Sequence, residues 1–477
     1  MQIKQIFPNG KYLISRVLLR GNLCTVAKNE SPNTVIENTL KTLPKKKRKK
    51  YIHGNSQSSS WEERLADVVT PLWRLSYDEQ LRLKQMQQKK ILQELSDLVK
   101  AAVPEVSLPL NNDNLSFPLL PIKPSPVIYG YRNKSTFSVN KGVDGDPKTV
   151  GFFVGSGKCK NIVCINDNHL LNTPAKHKMV ARHYEDFIRT SPLDPCLLFH
   201  EGGHWREITV RTNSAGETMA IVFFHPQSLT PEEIYAQKAC LVDHFIYGPG
   251  TDCKLDALYF QESSMTRCSN EVSPYQLLHG NPHIYEEVLG CRFRISADAF
   301  FQVNTKASEV LYHTVGEMCL SSVGDTLLDV CCGTGAIGIS LASKVKRVIG
   351  IEVIEQAVKD ARHNAFLNGK LNCDFLAGKA EVLLPKLIPS LGTESSIITV
   401  VNPSRAGVHH RVIRALRSNP AIRKLIYISC KPEGEGMRNF KELCCPLEGQ
   451  PFRPVLAIPV DMFPHIAHCE LVLVFER

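Results

Sequence analysis

The 477-residue sequence predicts an α/β chain, with a doubly wound, Rossmann-like domain at its C-terminus and a smaller α+β domain before it. Two observations carry that expectation. From about Asp325 the chain alternates short apolar runs with helical stretches around a glycine-rich turn, the pattern of parallel strands joined by crossover helices. Between residues 128 and 300, β-type runs such as Thr136 to Val139, Glu207 to Thr212 and Met219 to Phe224 alternate with turns instead. The expected partition is a basic segment over 1–50, a helical segment and linker over 51–126, a central α+β domain over 127–300, and the doubly wound domain over 301–477.

In chain order, the first 50 residues hold 12 Lys or Arg against Glu30 and Glu37, which accounts for the whole net charge of +10. The remaining 427 residues carry 45 basic and 45 acidic side chains, so a folded body that binds nucleic acid has to do it with local patches. Lys4, Lys11, Arg16, Arg20 and Lys28 are mixed with apolar residues, and no acid occurs before Glu30, as in a mitochondrial transit peptide. A mitochondrial matrix location is the expectation. The run Lys45 to Lys50 supports the nuclear alternative or an RNA-contacting patch, and a cytosolic location is the third reading.

Sixteen cysteines without recurrent spacing or a secretory signal fit a reducing compartment rather than a disulfide framework. Cys159 and Cys164 have no second pair at ligand spacing, so no metal is expected. No run of about 18 apolar residues occurs, so no membrane partner is expected. The oligomeric state is not legible.

Ser76 with Glu79 forms a capping box, followed by Leu83, Met86, Ile91, Leu95 and Leu98 at near-helical spacing. A polar, Pro-rich linker then reaches Pro126. Further on, Thr326 to Val330 reads as a buried strand running into Cys331, Cys332, Gly333, Thr334 and Gly335 and then a helix. The apolar run Val348 to Ile351 ends at Glu352, where a carboxylate can bind the ribose hydroxyls of an adenosine ligand. Gly333, Gly335 and Gly338 also satisfy the dinucleotide fingerprint, so an NAD enzyme competes on this motif alone. Asp329 within the strand end and the helix Glu355 to Leu367, closing on Asn368 and Gly369, resemble the S-adenosylmethionine methyltransferase pattern instead.

Four further segments, in this order, carry a sharper resemblance: Ala299 to Asn304 (AFFQVN), Asn402 to Gly407 (NPSRAG), Ser429 to Pro432 (SCKP), and Asp461 to His465 (DMFPH) with Glu470 behind it. Together they resemble the TrmA-type RNA (uracil-5-)-methyltransferases, and the resemblance covers most of the chain from Trp61 onward. Tyr131 to Lys134 and Trp205 to Glu207 resemble that family's central RNA-contacting domain, and Trp61 to Leu81 its animal branch.

The resemblance implies S-adenosyl-L-methionine as cofactor, held by Gln302, Cys331, Gly333, Gly335, Glu352 and Asn402. It implies tRNA as partner, with rRNA as the second candidate, and the T-loop uridine of mitochondrial tRNA as the first target. Cys430 is then the nucleophile and Glu470 the proton acceptor, with Arg405, Arg132 and Lys134 as substrate contacts. Carbon 5 of uracil is a poor nucleophile. A thiolate adding to carbon 6 puts electron density on carbon 5, and after methylation a base removes the carbon 5 proton so that the thiol leaves. Tyr131, Trp205 and Arg211 join Arg132 and Lys134 as expected contacts to a flipped or looped-out base and its phosphates.

Three positions depart from the family pattern. Asn402 stands where Asp is usual, keeping an acceptor oxygen without the charge. Ser404 replaces a second proline, and Lys431 replaces Asn beside the nucleophile, where a cation can lower a thiol pKa. Two other readings stay open from residues alone: an amino methyltransferase of adenine or glutamine, which also uses an Asn-Pro motif, and a non-catalytic RNA-binding factor on the same scaffold.

Overall fold

The structure, a computed structural model, describes residues 60–102, 114–155, 162–197, 202–264, 273–319, 326–391, 396–445 and 450–477. The basic N-terminal segment, on which the targeting expectation rests, Cys159 and residues 103–113 of the expected linker lie outside the described residues. A short helix α1 (Trp61–Val69) and a 26-residue helix α2 (Tyr77–Ala102) open the described chain. The Ser76 hydroxyl accepts from the Glu79 N–H at 3.4 Å while the Glu79 carboxylate accepts from the Ser76 N–H at 2.9 Å, so both ends of the capping box are made.

The inward face of α2 differs from the one its leucines suggest. Met86 is 71 % exposed and Leu83 half-buried, whereas Gln80, Lys84 and Gln88 are buried, followed by Leu92, Leu95 and Val99. The stripe is helical in period but polar in its first half, because that half meets a loop with polar groups of its own. The stretch before Pro126 is likewise more than a connection: Leu115, Phe117 and Leu119 are buried, and Leu119 and Lys123 bridge the C-terminal sheet.

The central region is a seven-stranded sheet in the order β3-β2-β1-β4-β5-β6-β7, from β1 (Lys134–Asn140), β2 (Thr149–Val154), β3 (Val163–Ile165), β4 (Trp205–Thr212), β5 (Thr218–Phe224), β6 (Ala257–Glu262) and β7 (Tyr275–Gly280). All its neighbours are antiparallel except β5 and β6. Helices α3 (Ala175–Thr190) and α4 (Pro231–Val242) cover one face over a core of Phe137, Tyr184, Trp205 and Phe224. A hairpin of β8 (Ile284–Val288) and β9 (Cys291–Ile295) and helix α5 (Thr305–Cys319) lead into the second sheet.

That sheet comprises β10 (Thr326–Val330), β11 (Arg347–Glu352), β12 (Cys373–Ala377), β13 (Ile397–Val401), β14 (Ile422–Ser429), β15 (Arg453–Val460) and β16 (Glu470–Glu476) in the order β12-β11-β10-β13-β14-β16-β15. The first five positions are parallel, and β16 inserts antiparallel between β14 and β15. The crossover helices are α6 (Ala336–Leu341), α7 (Glu355–Leu367), α8 (Ala380–Ser390), α9 (His410–Ser418) and α10 (Met437–Cys444). Strand runs such as Ile397 to Val401 are buried throughout, as a sheet covered on both faces requires. Strand order reverses at β10, which pairs with β11 on one side and β13 on the other, so a crevice opens beyond their carboxyl ends. Among the described residues no helix is long and apolar enough to cross a membrane.

Candidate active site

The crevice is a cleft of about 1050 Å³. Gln302, Cys331, Gly333, Glu352 and Asn402 line one part of it, and Arg405, Cys430, Glu470 and Arg132 line the rest.

Backbone geometry builds the first part. Cys331, Gly333 and Gly335 all have left-handed φ angles of 64°, 55° and 80°, which turn the chain sharply between β10 and α6. Asp329 holds that turn from below: its Oδ2 accepts from the Gly338 N–H at 3.0 Å, and full burial pushes its carboxyl to about 7. A Cβ built on Gly333 meets nothing within 4 Å, so this position opens on the cleft. Gly335 does not line it. A Cβ there would stand 2.9 Å from both Ile339 and Phe375, so close packing as well as the turn requires glycine at this position. Glu352 ends β11 and accepts from the N–H groups of Gly333 at 3.1 Å, Val353 at 2.8 Å and Ile354 at 3.0 Å, fixing a carboxylate at the lip of the turn. Gln302 is buried, and its carbonyl accepts from Asn133 Nδ2 at 2.7 Å.

Sheet register builds the second part. Ser429 pairs with Leu471 across β14 and β16, so Cys430, one residue past the end of β14, comes level with Glu470 at the start of β16. The 39 residues of chain between them, 431–469, are spanned by one antiparallel pairing. Glu470 is 5 % exposed, and burial pushes its carboxyl up to about 7 against the pull of Arg405. Burial and the Glu470 carboxylate also raise the Cys430 thiol above its ordinary range, while the positive charge of Arg405 opposes the rise. The cation beside the thiol is therefore Arg405 rather than the adjacent Lys431. Consecutive residues at a strand end face opposite ways, which separates Lys431 from its neighbour's sulfur.

Several expected RNA contacts lie elsewhere. Trp205 is fully buried between Tyr184, Phe187 and Phe224 with its Nε1 donating to Ser191 Oγ at 3.0 Å, so it cannot stack on a base. Tyr131 is buried with its hydroxyl on the Pro464 carbonyl at 3.1 Å, and Arg211 is buried with its guanidinium on the Ala299 carbonyl. Lys134 stands outside the cleft lining; burial and the cations Arg211 and Arg132 pull its ammonium down to about 8. Arg132, two residues before β1 begins, lines the cleft, whereas Lys134 does not. Sequence reasoning passed over Phe300, 68 % exposed at the cleft, and over Phe463, Ile466 and His468, although all four sit in or beside the quoted motifs. Among the described residues no group of three His, Cys, Asp or Glu side chains is placed to hold a metal.

Comparison with known proteins places this geometry. A methyltransferase-domain family model matches residues 321–395. The tRNA (uracil-5-)-methyltransferase homolog B of Danio rerio is 64 % identical over 428 residues, covering 88 % of each chain. The Homo sapiens homolog B is 56 % identical over 440 residues, covering 91 % of this chain and 87 % of that one. The Mus musculus homolog A is 42 % identical, covering 90 % and 71 %. Among solved structures, the Pyrococcus abyssi tRNA (uracil-54, C5)-methyltransferase in complex with S-adenosyl-L-homocysteine superposes with a TM-score of 0.57 at 22 % identity, over 85 % of this chain and 84 % of that one, and shares the fold.

Proposed function

The chain belongs to the tRNA (uracil-5-)-methyltransferase family, and from that membership we propose that it methylates carbon 5 of a uridine in tRNA, specifically the T-loop uridine of mitochondrial tRNA. The observation that carries the chemistry is the meeting of Cys430, Arg405 and Glu470 at one cleft from three separate segments. Methylation of an exocyclic amine needs no thiol nucleophile, so an amino methyltransferase leaves Cys430 at this cleft without a role. The mitochondrial part rests on the acid-free basic stretch before Glu30.

The cofactor is S-adenosylmethionine, and the residues fit it. Gly333 leaves room for close approach, Glu352 offers a carboxylate to ribose hydroxyls, and Gln302 and Asn402 supply amide groups. When bound it supplies an electrophilic methyl group. Arg405 stabilises the Cys430 thiolate, which adds to carbon 6 of the uracil and leaves density on carbon 5. Once carbon 5 carries the methyl group, the Glu470 carboxylate takes its proton, the electron pair re-forms the ring double bond, and Cys430 departs as thiolate. A carboxyl held near 7 is matched to that step at neutral pH. Asn402 keeps the acceptor that a base edge or the cofactor needs, so its neutral amide is compatible with this chemistry.

The test is nucleoside mass spectrometry on tRNA and rRNA separated from mitochondria and cytosol of cells lacking the protein. Loss of 5-methyluridine confined to mitochondrial tRNA is expected. Unchanged mitochondrial tRNA would sink the substrate reading, and a cytosolic reporter fused to residues 1–30 would sink the targeting.

A further inference from the structure

The polar face of α2 ends on the loop that leads into Glu470. Lys84 and Asp461 are both fully buried, and their side chains form an ion pair at 2.6 Å. Lys84 Nζ also donates to the Phe463 carbonyl at 3.0 Å. The Tyr77 hydroxyl donates to the other Asp461 oxygen at 3.0 Å. One turn along the helix, Gln80 holds His465 twice: Oε1 accepts from the backbone N–H at 2.7 Å, and Nε2 donates to Nδ1 at 3.2 Å. The His465 Nε2 faces the Ile128 carbonyl at 2.9 Å, which makes it the protonated nitrogen and Nδ1 the acceptor. Three side chains of α2 thus grip one side of the loop while Phe463, Ile466 and His468 line the cleft from it.

An apolar helix face would bury the same surface without desolvating an ammonium and a carboxylate, and replacing such a pair by apolar residues is commonly neutral or stabilising. What the pair adds is directional bonding that admits one placement of the loop. The chain from Asp461 to Cys469 has no strand partner of its own, and Glu470 begins β16 directly after it. We propose that Lys84 is a positioning residue for the base, acting through Asp461 and the Phe463 carbonyl to hold the 461–469 loop so that Glu470 meets carbon 5 of the adduct. The N-terminal helical segment is then part of the machinery for the last step, in which the carbon 5 C–H bond breaks, its proton passes to Glu470, and the carbon 6 to sulfur bond opens. This rests on the reading of Glu470 as the base.

The experiment uses the full chain, an unmodified tRNA transcript and S-adenosylmethionine, comparing wild type, Lys84→Met, Tyr77→Phe, the double variant Lys84→Met/Asp461→Asn, and Glu470→Gln. Readouts are turnover, methylated protein–RNA adduct on denaturing gels, KM for tRNA, and melting temperature. Lys84→Met is expected to lose at least tenfold in turnover with KM within about twofold, and to accumulate methylated adduct as Glu470→Gln does. Tyr77→Phe, which keeps the ion pair and removes the hydroxyl's bonds to Asp461 and from the Ser125 N–H, should show the same adduct to a smaller extent. The double variant, with no buried charge left unpaired, should regain melting temperature but not turnover. Recovery of both would reduce the pair to scaffold and overturn the proposal. So would adduct in Glu470→Gln with none in Tyr77→Phe or in folded Lys84→Met. Absence of adduct in Glu470→Gln as well refutes the base reading, and the positioning role with it.

Discussion

The two parts of the cleft are made in different ways. The part around Gly333 and Glu352 is framed by one strand–turn–helix segment and the end of the next strand, within about two dozen residues, to which Gln302 and Asn402 add from elsewhere in the chain. The part around Cys430 gathers Arg132, Arg405, Cys430, Glu470 and the 461–469 loop from across most of the chain. The first holds its shape by local backbone bonds, such as the three N–H groups on Glu352. The second depends on β16 inserting beside β14 in one register and on α2 holding the loop behind it. A locally built binding site and a globally built chemical site should respond independently to substitution, and that contrast can be broken experimentally.

The largest effect is expected at Cys430. Cys430→Ala should abolish 5-methyluridine formation and every covalent RNA complex, including the trapped complex with 5-fluorouridine RNA, while S-adenosylmethionine binding measured by calorimetry stays unchanged. Residual methylation of carbon 5 would refute the covalent route. Glu470→Gln should slow turnover by about 10²–10⁴-fold, the usual contribution of a positioned base, with adduct accumulating because attack precedes proton removal. Adduct-free loss of activity would assign Glu470 to an earlier step.

Glu352→Ala probes the other part and should weaken S-adenosylmethionine binding by about 1.5–3 kcal/mol, the worth of hydrogen bonds to a charged group, roughly ten- to a hundredfold in Kd. Adduct formation between Cys430 and 5-fluorouridine RNA at saturating cofactor should be unaltered; a matching loss there would show that the two parts are not independent.

The smallest effect is in the pH profile. The Glu470 carboxyl titrates at about 7, so the fraction able to accept a proton falls about tenfold per pH unit below that value, and wild-type turnover should fall with it. The Glu470→Gln variant should lose this limb, while its adduct formation keeps rising with pH because the Cys430 thiol ionises only above its ordinary range. A variant retaining the limb near 7 would assign it to another group.

The sequence by itself determined the elements and singled out the candidate reacting groups. Thr326 to Val330 and Glu355 to Leu367 stand as read, because strand and helix follow from local periodicity and from glycines at turns. Cys430, Glu470 and the glycine turn were legible because motif chemistry is carried by residue type and order. Only the tertiary structure decided which side chains share a space. Trp205, Tyr131 and Arg211 have the composition of RNA contacts and are buried, since exposure depends on what packs above a strand. Lys84 was invisible in a periodicity count that looked for apolar residues, because a buried ammonium makes sense only once Asp461, 377 positions away, is placed against it. The register that levels Cys430 with Glu470 likewise belongs to no local segment: strand pairing is a long-range choice, settled when the whole sheet closes over its core.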